Sequence, residues 1–242
     1  MTTYGLIGRS LSHSFSKDFF ENFFRDEQIE ARYQNFELAE IKEISELFQS
    51  VLGGLNVTIP YKESVIPFLD ELSEEAQNIG AVNVIQFLDG KKIGHNTDAF
   101  GFHQSIKPFL TNQHERAIIF GTGGASKAVE YVLKKIGVDV IFVSRNPKGA
   151  NQFQYSDVNI HMLNACKLLV NTTPIGTFPN MDECIDIPFE YLTAEHLVVD
   201  LIYNPAKTTL LQRAEAAGAT ILNGSSMLRE QALKSWKIWN EG

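Results

Sequence analysis

Ile118-Ile119-Phe120-Gly121-Thr122-Gly123-Gly124-Ala125-Ser126-Lys127-Ala128-Val129 runs from an apolar strand pattern through three glycines into a helical pattern. Glycine permits the tight turn and lets the backbone approach a pyrophosphate. The unpaired N–H groups and positive end of the following helix then face the phosphate charge. A plain strand-to-helix turn can use the same residues, so the loop takes its meaning from its surroundings. Residues 117–120, 138–143, 168–171, 197–201 and 219–222 are short β-branched or Leu-rich runs, as expected of strands buried on both faces. Their alternation with helix-like stretches predicts an α/β class with a parallel, doubly wound sheet of the Rossmann type.

About twenty residues beyond the glycines, a chain that binds NAD usually carries an acid for the ribose hydroxyls. Here the strand Val140-Ile141-Phe142-Val143 ends in Ser144-Arg145-Asn146-Pro147-Lys148, with no acid. Arg145 can stack on adenine and pair with a 2′-phosphate, and Lys148 adds charge, so NADP is favoured over NAD. A solvated basic turn is the bland alternative.

Working toward the N-terminus, residues 101–116 form a polar, Pro-containing stretch that reads as a hinge before a second domain. Upstream, 4–7, 32–37, 54–58 and 81–87 read as strands, the last entering a hairpin turn at Asp89-Gly90, while 18–27 and 41–49 read as helices. Phe19, Phe20, Phe23 and Phe24 fall on one side of the first helix and are expected in a core. At the other end, Leu228, Gln231, Ala232, Ser235, Trp236 and Trp239 share helical spacing, so an amphipathic helix closes the chain.

The 242 residues carry a net charge of -8, which argues against a polyanion binder because phosphate-backbone affinity needs clustered Lys and Arg. No nucleic-acid partner is expected. Cys166 and Cys184 lack CxxC spacing and the six histidines form no ligand pair, so no disulfide framework and no metal are expected. The start, Met1-Thr2-Thr3-Tyr4-Gly5-Leu6, has no leader pattern, and no stretch reaches the ~18 apolar residues of a membrane span. A soluble, cytoplasmic protein with no membrane partner is the expectation.

Three further motifs carry chemistry. Ser12-His13-Ser14-Phe15-Ser16 can hold a carboxylate or simply cap a helix; Gly54-Leu55-Asn56-Val57-Thr58-Ile59-Pro60-Tyr61-Lys62 sets small polar groups beside a lysine; Gly94-His95-Asn96-Thr97-Asp98-Ala99-Phe100-Gly101 puts an aspartate near a helix start. With Gly5-Leu6-Ile7-Gly8, Gly80-Ala81-Val82-Asn83, the glycine loop, Asn171-Thr172-Thr173-Pro174-Ile175-Gly176, Val199-Asp200-Leu201-Ile202-Tyr203-Asn204-Pro205 and Gly224-Ser225-Ser226-Met227-Leu228-Arg229-Glu230-Gln231-Ala232, the ordered set resembles the shikimate dehydrogenase family over essentially the whole chain.

The resemblance implies a two-domain α/β protein: a substrate-binding domain of residues 1–100 plus 225–242, and a Rossmann NADP-binding domain of 101–224. The last helix would return to the first domain, and the active site would lie in the cleft between domains. It implies reversible reduction of 3-dehydroshikimate to shikimate with NADPH on the route through chorismate to aromatic amino acids. By position, Lys62 and Asp98 match the catalytic pair, and Ser14 and Ser16 match the groups that hold the substrate carboxylate. Thr58, Asn83, Asp98 and Gln231 match the groups around the ring hydroxyls, with Tyr203 lining the substrate side. Gly121, Thr122, Gly123, Gly124, Ala125, Ser144, Arg145, Asn146, Lys148, Thr172, Ile202 and Gly224 match cofactor positions. Hydride addition to a ketone leaves charge on oxygen, so a cation and a proton source there act on the transition state; Lys62 can supply both, Asp98 can orient it and bind a substrate hydroxyl, and the sequence leaves open which of the two transfers the proton.

Departures are local. Lys17 stands where the family often has Pro, Phe20 or its neighbour where it often has His, and Ser144-Arg145-Asn146 where it often has Asn-Arg-Thr. The rival readings are a quinate/shikimate dehydrogenase using NAD or NADP, a catalytically silent module that senses NADP or shikimate, and a folate-linked dehydrogenase, which the Ser-rich loop and the complete motif set disfavour. A monomer or homodimer is expected.

Overall fold

The structure is a computed structural model and describes residues 1–11 and 15–241. The chain divides into two compact units, Met1–Gly101 with Leu228–Gly242, and Phe102–Met227.

In the first unit, β1 (Thr2–Gly8), α1 (Phe15–Asp26), β2 (Ala31–Glu37), α2 (Ile44–Leu47), β3 (Gly54–Val57), β4 (Glu71–Leu72), α3 (Glu74–Ile79), β5 (Val84–Leu88) and β6 (Lys91–His95) lead into α4 (Asp98–Ile106). The six strands form one sheet in the order β2-β1-β3-β5-β6-β4, mixed in sense: β1 runs parallel to β2 and β3, while β5 is antiparallel to β3 and β6. Side-chain alternation divides the core. Tyr4 and Leu6 join Phe20, Phe24, Tyr33 and Trp239 on one face, and Ile7, Leu55 and Val57 join Ile44, Tyr61 and Val82 on the other. Phe19 and Phe23 sit half-buried at the rim of the first cluster.

The second unit holds β7 (Arg116–Phe120), α5 (Gly124–Lys135), β8 (Asp139–Val143), β9 (Gln152–Phe153), α6 (Ile160–Ala165), β10 (Leu168–Asn171), β11 (Leu197–Asp200), α7 (Thr209–Ala216) and β12 (Thr220–Leu222). Its sheet is parallel throughout, in the order β12-β11-β10-β7-β8-β9. Strand order reverses between β7 and β10, so the turns after those two strands frame the crevice where such folds take ligands. Ile118, Phe120, Leu169 and Val198 pack with α6 and α7 on one face, while α5 buries Ala128, Val129, Val132 and Leu133 against β7 and β8.

The closing helix α8 (Ser225–Asn240) belongs to the first unit from Leu228 onward. Trp239 Nε1 donates to the Ile85 carbonyl at 3.1 Å, and Gln86 Nε2 donates to the Ile238 carbonyl at 2.6 Å. Gly54 lies so close under Trp239 that an added Cβ would meet its ring at 2.2 Å.

Three sequence expectations are corrected. Residues 41–49 form a short 3-10 turn, Ile41–Glu43, and the single α turn of α2 rather than one helix. The strand expected at 81–87 starts only at Val84, because the Val82 N–H donates to the Lys62 carbonyl and the Ala81 carbonyl accepts from Asn96 Nδ2, outside the ladder. Much of the expected hinge is helical: α4 continues to Ile106 and a 3-10 turn covers Lys107–Phe109, since Phe102 and Ile106 are completely buried. The Asp89-Gly90 turn is as expected, with φ of 51° and 77° between β5 and β6.

Candidate active site

Lys62 stands just beyond β3, on a turn fixed by the Tyr61 N–H donating to the Thr58 carbonyl and the Val82 N–H donating to the Lys62 carbonyl. Asp98 is the first residue of α4, where a carboxylate faces the positive end of the helix. The two meet: Lys62 Nζ donates to Asp98 Oδ2 at 2.6 Å, with the lysine side chain 16% exposed and the aspartate 4%. A buried charge pair of this kind needs further hydrogen bonds. Asn83 supplies one, its Nδ2 donating to Asp98 Oδ1 at 2.9 Å.

Asn83 is the hub of the constellation. Its Nδ2 also has Gln231 Oε1 at 2.9 Å and Thr97 Oγ1 at 3.1 Å, while its Oδ1 accepts from the Thr97 N–H at 2.7 Å. Two amide hydrogens thus serve three acceptors, which holds Asp98, Thr97 and the α8 side chain of Gln231 in one arrangement. Behind them, Tyr33 Oη donates to Asn56 Oδ1 at 2.7 Å, Asn56 Nδ2 donates to Ser235 Oγ at 3.1 Å, and Ser235 Oγ donates to the Gln231 carbonyl at 2.8 Å. Ser16 lies beside the Tyr33 hydroxyl, whose pKa full burial pushes well above its ordinary value. Ser14 lies outside the described residues. Thr58 is half-buried at the end of β3, its N–H donating to the Ile7 carbonyl at 2.8 Å.

Lys62, Asp98, Asn83 and Gln231 are therefore brought together, and Ser16 lies beside Tyr33, which is linked to them through Asn56 and Ser235. The sequence reading did not single out Tyr33, Thr97 or Ser235 as site residues. Ser235 lies one helical turn after Gln231, a spacing that puts both on one face. Nothing local marks Tyr33, because its partner Asn56 is on another strand.

In the second unit Gly121 has φ +105°, and a Cβ there would meet Thr172 Oγ1 at 2.7 Å. Thr172 Oγ1 itself donates to the Phe120 carbonyl at 2.7 Å, so the two turns at the strand reversal are locked together. Gly123 caps α5 without a side-chain hydrogen bond, and open space lies where its Cβ would be. Exposed Thr122 and half-buried Gly124 and Ala125 complete the turn. Uncapped N–H groups beneath an open glycine cradle fit a pyrophosphate.

At the end of β8, the buried Ser144 Oγ has no hydrogen-bond partner among the described residues, an orphan polar atom where a ribose or its phosphate would provide one. Exposed Arg145, Asn146 and Lys148 follow. The buried Ile202 receives the Gly224 N–H at its carbonyl at 3.0 Å. Gly224 is obligatory, because a Cβ would lie 2.1 Å from the Leu201 carbonyl oxygen. Tyr203 is half-buried next in sequence. Among the described residues there is no cluster of three His, Cys, Asp or Glu that could hold a metal, and no helix is long and apolar enough to cross a membrane.

The family model of the shikimate dehydrogenase substrate binding domain matches residues 6–85. The shikimate dehydrogenase (NADP(+)) of Pyrococcus abyssi is 38% identical over 247 residues, covering 99% of this chain and 92% of its own. That of Methanosphaera stadtmanae is 34% identical over 255 residues, covering 97% and 90%. The crystal structure of shikimate 5-dehydrogenase from Thermus thermophilus in complex with NADP(H) and shikimate is 29% identical, with a TM-score of 0.87 and coverage of 99% and 94%. A motif set, a strand order and a likeness in sequence that spans both units agree: the chain belongs to the shikimate dehydrogenase family.

Proposed function

We propose that this protein is an NADP-dependent oxidoreductase that reversibly reduces the ketone of 3-dehydroshikimate to shikimate, the step that feeds chorismate and the aromatic amino acids. The observation that carries the reading is the Lys62–Asp98 pair, held at 2.6 Å and tied to Asn83 and Gln231. The nicotinamide, when bound, supplies or accepts the hydride. Gly121, Thr122, Gly123, Gly124 and Ala125 would cradle its pyrophosphate; Ser144, Arg145, Asn146 and Lys148 would hold the adenosine ribose and 2′-phosphate; Thr172, Ile202 and Gly224 would shape the remaining wall.

Lys62 spends one ammonium hydrogen on Asp98 and keeps two for a substrate oxygen. Its charge stabilises the developing alkoxide, and Lys62 Nζ is the atom from which the proton passes to that oxygen during reduction. Asp98 orients the ammonium and, with both oxygens already engaged, keeps lone pairs for a ring hydroxyl. Asn83, Thr58 and Gln231 add donors and acceptors for the other hydroxyls, Ser14 and Ser16 take the carboxylate, and Tyr203 lines the substrate. In this scheme Asp98 positions and Lys62 transfers.

The test is turnover of the purified chain with shikimate or quinate and either NADP+ or NAD+, followed by absorbance of the reduced nicotinamide. Preference for shikimate with NADP+ is expected. A clear preference for quinate with NAD+ overturns both specificities, and binding of both ligands without any turnover makes the chain a sensor rather than an enzyme.

A further inference from the structure

Asp200 ends β11 with its side chain completely buried, and it forms no ion pair with Lys or Arg among the described residues. Three donors converge on it: Asn171 Nδ2 to Oδ1 at 2.9 Å, the Ile202 N–H to Oδ1 at 3.1 Å, and Thr208 Oγ1 to Oδ2 at 2.6 Å. Each donor extends the reach of the carboxylate. Asn171 Oδ1 accepts from the Thr173 N–H at 2.9 Å and from Thr173 Oγ1 at 2.7 Å, fixing the turn after β10. Thr208 Oγ1 in turn accepts from the Leu211 N–H at the start of α7. Ile202 receives Gly224. One carboxylate thus joins β10, β11 and α7 beneath the backbone of Thr172 and Ile202.

We propose that Asp200 is a positioning residue whose ionised carboxylate sets the Thr172–Thr173 and Ile202–Tyr203 backbone for the cofactor. The proposal rests on the assignment of Thr172 and Ile202 to the cofactor wall. Ionisation matters because only a carboxylate accepts from all three donors. A carboxamide offers one acceptor oxygen, and its NH2 would face Thr208 Oγ1, which already accepts from Leu211 and would lose the acceptor for its own hydrogen. A proton on Oδ2 creates the same conflict. Burial without a countercharge raises the Asp200 pKa to about 6, so the conflict arises in mild acid.

The charged and titratable neighbours are few. Cys184, whose thiol burial pushes up, lies near Asp200, and Arg213 of α7 and Asp186 lie around Cys184. Because burial pushes its pKa up, the Cys184 thiol stays neutral from mildly acid to neutral pH.

The first experiment follows the Ile202 amide by NMR in the ligand-free, full-length protein across that range. A titration midpoint near pH 6 is expected, absent in Asp200→Asn and retained in Thr208→Ser. The second measures KM for NADP+ and kcat against pH. Asp200→Asn should raise KM at neutral pH by about three- to tenfold, as expected for one or two weakened hydrogen bonds, with a much smaller change in kcat. The ratio of variant to wild-type KM should shrink as pH falls, since the wild type loses its own carboxylate there; taking the ratio cancels titration of the cofactor's phosphate. A merely structural role would lower Tm without moving this ratio. An Ile202 amide with no midpoint, or KM profiles that superimpose, overturns the proposal. If the wild type binds no nicotinamide at any pH, the cofactor assignment falls, and the positioning role with it, while the amide titration still reports the carboxylate network.

Discussion

At the residue scale, two buried carboxylates do opposite things. Asp98 has a cation, and its partner can be tested directly: Lys62→Ala should lower kcat by about 10²–10⁴ and change KM far less, because the charge matters most as the alkoxide forms. An unchanged kcat in a folded variant removes Lys62 from the chemistry. Asp200 has no cation partner among the described residues, and burial raises its pKa from 3.8 to about 6. Between those values the folded chain binds more protons than the unfolded one, so stability falls as pH rises through the window. The ionised carboxylate costs about 3 kcal/mol at neutral pH. Asp200→Asn escapes that cost, so the difference in Tm, variant minus wild type, should grow from pH 4.5 to 7.5 in calorimetry. A flat difference would mean that the carboxyl group is not perturbed.

At the element scale, one glycine-rich turn contains two kinds of glycine. Gly121 is fixed by its own backbone at φ +105° and by Thr172; Gly123 has an ordinary φ of -89° and nothing within 4 Å of its would-be Cβ. Gly121→Ala should therefore lose about 1–3 kcal/mol of stability as well as cofactor affinity. Gly123→Ala should keep Tm close to wild type and still raise KM for NADP+ by about tenfold, since its methyl enters the cradle. Thermal denaturation and cofactor titration of the two variants side by side check this. The turn itself was legible because glycine, strand and helix signals are contiguous in sequence. The break of residues 41–49 into two short pieces was not, because it depends on which of their apolar side chains find a core; Ile44 does so completely.

At the scale of the whole molecule, α8 supplies the first unit with a core that the first hundred residues cannot complete. Both tryptophans of the chain, Trp236 and Trp239, lie on it. Trp239→Ala should cost about 3–5 kcal/mol, read by urea unfolding through the fluorescence of Trp236. Truncation after Gly224 should leave residues 1–101 open to limited proteolysis, with the second unit more resistant because its strands and core close among residues 102–227.

The glycine loop, the run of parallel strands behind it, the basic turn at Arg145 and the candidate lysine and aspartate were all legible before folding. Each is written in neighbouring residues, or in motifs whose order survives folding. Folding was needed to make Asn83 the hub between Asp98 and Gln231, the latter 148 positions away from it in the chain, and to leave the Ser144 hydroxyl without a partner among the described residues. It also decided that Asp200 binds three elements at once. These are properties of buried polar groups, whose partners arrive from distant segments and whose cost is set by the exclusion of water, and no local pattern of residues encodes either.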